Sequence, residues 1–172
     1  MAKSFVSTAN PCKLCRPLGA CLAFRGVENS MVLLHGSQGC STYMRRYISS
    51  HFREPVDIAS SSLSEQQAVY GGAANLKQGI KNVVAKYSPS ILGVATTCLA
   101  ETIGDDVRMA ISELMEEEPA LREITIVPVS TPSYSGGHMD GFNDSCVAIL
   151  EKLAESEDES GGINLFPGFI SP

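Results

Sequence analysis

The stretch that decides the fold is M-V-L-L-H-G-S-Q-G-C, residues 31–40. An apolar run followed by a turn with two glycines is typical of a strand that leads directly into a helix. The same succession recurs, with candidate strands at 31–35, 56–60, 90–96, 124–129 and 163–166. Candidate helices lie at 17–25, 38–50, 72–87, 104–118 and 139–155. These repeated units predict an α/β fold, a parallel sheet of about four to five strands with helices on both faces.

Acidic residues mark the start of the candidate helix at 104–118. Asp105 and Asp106 suit the positive end of a helix dipole, and Pro119 is expected to stop the helix. We expect these two carboxylates and Glu101 to act at helix N-termini rather than as catalytic acids.

Composition and charge exclude several classes of protein. The 172 residues are enough for one α/β domain with a substantial core. A net charge of −6 argues against a nucleic-acid surface, which needs clustered Lys and Arg. No apolar stretch approaches the roughly 18–20 residues of a membrane span, and the N-terminus lacks the apolar run of a signal peptide. We therefore expect a cytoplasmic protein that binds neither nucleic acid nor membrane.

The chain contains six cysteines, at positions 12, 15, 21, 40, 98 and 146. The cytosol keeps thiols reduced, so packed thiols or metal ligands are the remaining interpretations. Cys12 and Cys15 form a C-x-x-C pair, a spacing that is also typical of a thioredoxin-type redox motif. No strand precedes that pair, so the context does not favour a redox motif.

Three residues that can bind metal follow strands of the predicted sheet. Cys40 follows the first strand, Cys98 the third and Ser133 the fourth. Ligands of open parallel sheets collect outside the carboxyl ends of the strands, and the short helix after Cys15 can return that residue to the same edge. Zinc sites usually show two tight cysteine pairs, whereas single, widely spaced cysteines favour a larger cluster held by a scaffold.

Five segments carry a resemblance to a known family, and they run in family order. They are N-P-C-K-L-C-R-P-L-G-A (10–20), H-G-S-Q-G-C (35–40), H-F-R-E-P-V (51–56), T-T-C-L-A-E-T-I-G-D-D (96–106) and T-P-S-Y-S-G-G-H (131–138). On these motifs the chain resembles β-type subunits of the nitrogenase component 1 family. The resemblance implies a Rossmann-like domain and a role in nitrogen fixation.

The same resemblance implies a ligand set for an iron–sulfur cluster. By motif, Cys15, Cys40 and Cys98 would ligate iron, and Ser133 would be able to ligate the oxidised cluster. An α-type subunit would supply the other thiolates, in an α2β2 assembly that takes electrons from the nitrogenase iron protein. The cluster is an [8Fe-7S] P-cluster in the catalytic molybdenum–iron branch. In the scaffold branch, which matures the iron–molybdenum cofactor, it is a [4Fe-4S] cluster.

The branch is predicted from a few residues. Arg16 stands where catalytic subunits generally have Gln, and N-P-C-K-L-C (10–15) and G-C-S-T-Y-M-R-R (39–46) are more similar to scaffold β subunits. We therefore expect the scaffold complex of cofactor biosynthesis, with the catalytic β subunit as the alternative. A cluster-free structural module of the same family is a further alternative.

Family β subunits are longer and contain three similar α/β domains. The resemblance therefore predicts that residues 1–160 form the first domain and that 161–172 begin the connection to a second. We expect this chain alone to have no turnover and to be isolated without the cluster.

The other cysteines match no ligand position of the family. Cys12, Cys21 and Cys146 are therefore expected to be packed thiols. His35 is expected to order the turn that follows the first strand rather than to bind metal.

Overall fold

One parallel sheet organises the part of the chain that the computed structural model describes, residues 14–154. Its strands there are β1 (Ser30–His35), β2 (Ala59–Ser60), β3 (Ile91–Thr96) and β4 (Thr125–Val129), in the order β2-β1-β3-β4. The helices are α1 (Arg16–Arg25), α2 (Gln38–Phe52), α3 (Glu65–Tyr70), α4 (Ala73–Tyr87), α5 (Cys98–Ile103), α6 (Val107–Glu117) and α7 (His138–Leu153). The predicted parallel α/β fold is confirmed, and the candidate strand at 163–166 lies outside the described residues.

Alternating side chains of the central strands build a core on each face of the sheet. Met31 and Leu33 of β1 face α4 and α6, together with Leu92 and Val94 of β3, their register partners. Val32 and Leu34 point to the opposite face, where α1 and α2 cover the sheet. Because successive residues of a strand point to opposite faces, both faces must be covered to bury these runs.

Helices α1 and α7 pack on each other in backbone contact. A Cβ added to Gly19 of α1 would lie 1.8 Å from the carbonyl oxygen of His138 and 2.4 Å from the backbone nitrogen of Phe142. Glycine is required at this crossing because any side chain would occupy the backbone of α7. The contact holds the start of α1 beside the start of α7.

Two sequence predictions of element boundaries were wrong. The candidate strand at 56–60 is a strand only at Ala59–Ser60, because it meets β1 only at Leu33 and Leu34, near the carboxyl end of that strand. The helix predicted at 104–118 begins at Val107, since Gly104 takes a left-handed φ of 75° and ends the separate helix α5. Pro119 follows the end of that helix as expected.

Helix α3 was not predicted from the sequence. It begins with a capping box, in which the backbone N–H of Ser64 donates to the Gln67 Oε1 at 3.0 Å. The Ser-x-x-Gln pattern is the signal for such a start. Across residues 14–154, no helix has both the length and the apolar character needed to cross a membrane.

Candidate functional site

The four predicted ligands lie at the carboxyl edge of the sheet. Cys40 is in the first turn of α2, which follows β1, and Cys98 opens α5, which follows β3. Ser133 begins a short 3-10 turn after β4. Cys15 caps the start of α1 and forms an isolated antiparallel bridge with Gly137. The structure therefore brings all four residues to the edge where parallel sheets bind ligands.

Ser133 links two of the predicted ligand segments by hydrogen bonds. Its backbone N–H donates to the Cys98 Sγ at 3.2 Å. Its side-chain Oγ accepts from the backbone N–H of Arg16 at 3.1 Å, and Arg16 directly follows Cys15. The start of α1, the turn after β4 and the Cys98 thiol thus form one connected group.

The Cys40 turn is joined to the Cys98 turn through Thr97. The backbone N–H and the Oγ1 of Thr97 both donate to the carbonyl oxygen of His35, at 3.0 and 3.1 Å. A Cβ added to Gly36 would lie 1.9 Å from the Thr97 Oγ1, so only glycine lets the two turns approach this closely. Within its own turn, the Ser37 hydroxyl donates to the Cys40 Sγ at 3.7 Å.

His35 is fully buried and orders the turn, as expected from the sequence. Its Nδ1 lies 2.9 Å from the Ser61 Oγ, and its Nε2 lies 3.0 Å from the Asp105 Oδ2. Gly36 N–H donates to the same Ser61 oxygen at 3.0 Å. A neutral imidazole can donate a hydrogen bond from Nε2 to the Asp105 carboxylate and accept one from the Ser61 hydroxyl at Nδ1. In this tautomer both ring nitrogens have a hydrogen-bond partner.

Ser61, His35 and Asp105 are the residue types of a hydrolase triad, but their surroundings do not suit catalysis. Ser61 is 5% exposed and His35 is 0% exposed, so a substrate has no access to the hydroxyl. The serine is also hydrogen-bonded to the imidazole nitrogen opposite to that of the familiar triad, Nδ1 instead of Nε2. The three residues tie together the ends of β1, β2 and α5.

The acidic residues after Cys98 have different roles. Asp106 caps α6, where its Oδ1 accepts from the backbone N–H of Met109 at 2.9 Å, as predicted. Asp105 instead accepts the backbone N–H of Gly72 at the start of α4, at 2.9 Å, in addition to its contact with His35. Glu101 accepts a hydrogen bond from the Ser130 hydroxyl at 2.6 Å and another from Thr96, so it connects the ends of β3 and β4.

Acidification is expected to destabilise the fold through His35. Burial lowers the pKa of this imidazole below its ordinary value of 6.5, against the opposing effect of Asp105. The unfolded chain then binds the proton more readily, so this contribution to stability is complete above pH 6.5 and is lost as the pH falls below it. Unfolding measured from about pH 7.5 to about pH 5.5 should show a smaller slope for His35→Gln than for the native chain. If the stability of His35→Gln and of the native chain fell equally with pH, His35 would not be the cause of the destabilisation.

The other two described cysteines, Cys21 and Cys146, lie within helices α1 and α7 and take no part in these contacts. Cys21 is buried in the core under α1, and burial raises its pKa to about 12, as expected for a packed thiol. Cys146 is half-buried on α7, and burial raises its pKa as well. Cys12 lies outside the described residues. All five described cysteines are free thiols.

The donor set at the edge suits an iron–sulfur cluster better than a single metal ion. Within residues 14–154, no three His, Cys, Asp or Glu side chains are grouped closely enough to hold one ion. The thiols of Cys40 and Cys98 are half-buried, that of Cys15 is exposed, and they come from three separate segments. Three thiols from three segments are the kind of donor set that a group with several iron atoms takes.

Comparison with known proteins gives a consistent family. The model of the family described as "Nitrogenase component 1 type Oxidoreductase" matches residues 15–172. The chain is 44% identical over 178 residues to the nitrogenase molybdenum–iron protein beta chain of Methanococcus maripaludis. It is 40% identical over 164 residues to the protein of the same name from Clostridium pasteurianum. These alignments cover 99% and 95% of this chain but 38% and 36% of the relatives.

Solved structures agree with the sequence comparison. The chain superposes on a chain of "Nitrogenase Cp1 at pH 6.5" with a TM-score of 0.90 and 38% identity, covering 99% of this chain and 37% of the other. A chain of "Nitrogenase Cp1 at pH 5" matches with a TM-score of 0.68 and 20% identity, which supports the fold alone.

Proposed function

Because this chain belongs to the nitrogenase component 1 type oxidoreductases, we propose that it holds one side of an iron–sulfur cluster at an interface with an α-type subunit. The observation that carries the proposal is the hydrogen-bonded group at the sheet edge. There Ser133 contacts both the Cys98 thiol and the residue after Cys15, and the Cys40 turn is fixed to the Cys98 turn.

The relatives favour the catalytic branch. They carry the name of the molybdenum–iron protein beta chain, which supports the alternative drawn from the sequence better than the scaffold role. The proposed cluster is then of the P-cluster type, and it would relay electrons from the iron protein towards dinitrogen reduction. The scaffold subunit of cofactor biosynthesis is the second candidate, because Arg16 occupies a position where catalytic subunits generally have Gln.

The proposed ligands have distinct duties. Cys15, Cys40 and Cys98 would bind iron as thiolates, and the bound cluster would supply one-electron transfer. The backbone N–H of Ser133 donates to the Cys98 sulfur, and such hydrogen bonds tune a cluster's potential. The half-buried positions of Cys40 and Cys98 limit the access of water to their sulfur atoms.

The chain aligns with only part of each relative, and the length of that part is informative about domain organisation. The chain spans 38% of the Methanococcus beta chain, close to the share expected of one domain if the three-domain organisation implied by the resemblance holds. We therefore assign residues 1–160 to the first domain of a β-type subunit and 161–172 to the start of a connection. The α2β2 assembly and the electron donor belong to this proposal as well.

Removal of one thiolate should remove iron. The chain would be co-expressed anaerobically with an α-type partner, and iron and sulfide would be measured per heterodimer. Cys98→Ala is expected to lower the affinity for the cluster by more than about tenfold, since even an outer-shell contact of a metal site is worth ~10–100-fold. Cys146→Ala, which removes a half-buried thiol of α7, is the matched control and should leave the iron content unchanged.

Three results would distinguish the proposed cluster role, the catalytic branch and the scaffold branch. A heterodimer that forms without iron would exclude the proposed cluster role and leave the structural module. For a loaded heterodimer, electron transfer from the iron protein would support the catalytic branch. Release of a cofactor precursor to an acceptor protein would support the scaffold branch.

A further inference from the structure

Arg16 makes long-range contacts that the ligand roles do not explain. Its Nε donates to the Asp144 Oδ2 of α7 at 3.0 Å, and a second guanidinium nitrogen contacts the same oxygen. The third nitrogen donates to the Ser135 hydroxyl in the turn that begins at Ser133. One side chain therefore holds both the 3-10 turn and α7 from the first residue of α1.

The ion pair is covered mainly on its arginine side. The Arg16 side chain is 17% exposed and that of Asp144 is 41% exposed. The backbone N–H of Arg16 donates a hydrogen bond to the Ser133 Oγ, and the backbone N–H of Ser133 donates one to the Cys98 sulfur. An unbroken series of contacts thus runs from Asp144 through Arg16 and Ser133 to the Cys98 thiol.

We propose that Arg16 and Asp144 form a positioning pair that fixes the Cys15 and Ser133 segments against the Cys98 thiol. This inference rests on the proposed function for its purpose, since it concerns the spacing of the proposed ligands. Cys40 lies outside the series, because α2 and the turn after β1 hold it without a contact to Arg16. The two half-buried thiols should therefore respond differently when the pair is broken.

The test measures thiol reactivity in the metal-free 172-residue chain. Iodoacetamide would be added in excess, and alkylation of Cys98 and Cys40 would be followed peptide by peptide by mass spectrometry. Arg16→Gln and Asp144→Asn are each expected to accelerate alkylation of Cys98 by about fivefold or more. Each variant loses the charge-assisted contact between Arg16 and Asp144, which holds the Ser133 segment against the Cys98 thiol. The rate at Cys40 should stay the same, and the double variant should add little to either single variant.

A second ion pair on the same helix supplies the matched control. Arg25, at the other end of α1, pairs with Glu54 and lies over the Phe52 ring, so Arg25→Gln removes a more exposed ion pair of the same helix without touching the series. It should change neither thiol rate. If Arg16→Gln does not fold, Arg16→Lys keeps the charge and should give a rate between those of the native chain and Asp144→Asn.

Three outcomes would overturn the inference: an unchanged Cys98 rate, equal acceleration at both thiols, or the same effect from Arg25→Gln. The measurement needs no metal, so its failure is separate from a failure of the proposed cluster role. Co-expression of Arg16→Gln with the α-type partner would then give a second reading. Reduced iron content, restored in Arg16→Lys, would show that the pair also matters for loading.

Discussion

Gly19→Ala is expected to lower the free energy of unfolding by about 3 kcal/mol or more, a large part of the ~5–15 kcal/mol that stabilises a folded domain. The added Cβ would lie 1.8 Å from a carbonyl oxygen of α7 and 2.4 Å from a backbone nitrogen. Both atoms are backbone, so no change of rotamer relieves the overlap and the two helices must separate. Urea unfolding followed by circular dichroism measures the loss.

Gly39→Ala is the matched control for this substitution. Gly39 lies within α2, and the nearest heavy atom to an added Cβ is 3.8 Å away. Alanine should therefore raise stability by ~0.5–1 kcal/mol, the usual gain from replacing glycine in a helix. If both variants kept native stability, the close contact between α1 and α7 would be wrong.

Asp105→Ala is expected to cost about 3 kcal/mol, because it leaves two inward-facing donors without an acceptor. The Asp105 carboxylate accepts from the His35 Nε2 at 3.0 Å and from the backbone N–H of Gly72 at 2.9 Å. His35 is fully buried, so water cannot replace the lost acceptor there. The loss would be measured by chemical denaturation at neutral pH, where the imidazole is neutral.

The neighbouring carboxylate provides the comparison. Asp106 is exposed and caps α6 through one hydrogen bond, to the backbone N–H of Met109. Asp106→Ala should therefore cost only about 1 kcal/mol, the usual value of a helix cap. Equal losses at the two positions would show that the buried network contributes no more than an ordinary cap.

The periodicity of apolar residues predicted the central strands and the longer helices to within a few residues. β1, β3 and β4 are apolar runs whose side chains are buried in the cores on the two faces of the sheet. Their apolar residues alone therefore identify them in the sequence. β2 could not be delimited in this way, because its length depends on where the chain passes the end of β1. The division between α5 and α6 depends on one left-handed glycine, Gly104, within an otherwise helical pattern.

The candidate site was predicted in outline and not in its contacts. Parallel topology alone placed Cys40, Cys98 and Ser133 at one edge, since consecutive parallel strands end on the same side. The pairing of Arg16 with Asp144 had no local signal, because 128 residues separate the two partners. The same holds for His35 and Asp105, which are 70 residues apart.

The packing of α1 on α7 has a consequence for the order in which contacts form during synthesis. The helix that begins with Arg16 precedes the other described helices in the chain, yet its partner helix α7 begins only at His138. During translation the chain emerges from its N-terminus, so α1 can pack on β1 early, but its contact with α7 must wait for nearly the whole described region. The bridge between Cys15 and Gly137 therefore cannot form until almost all of the described region has been synthesised.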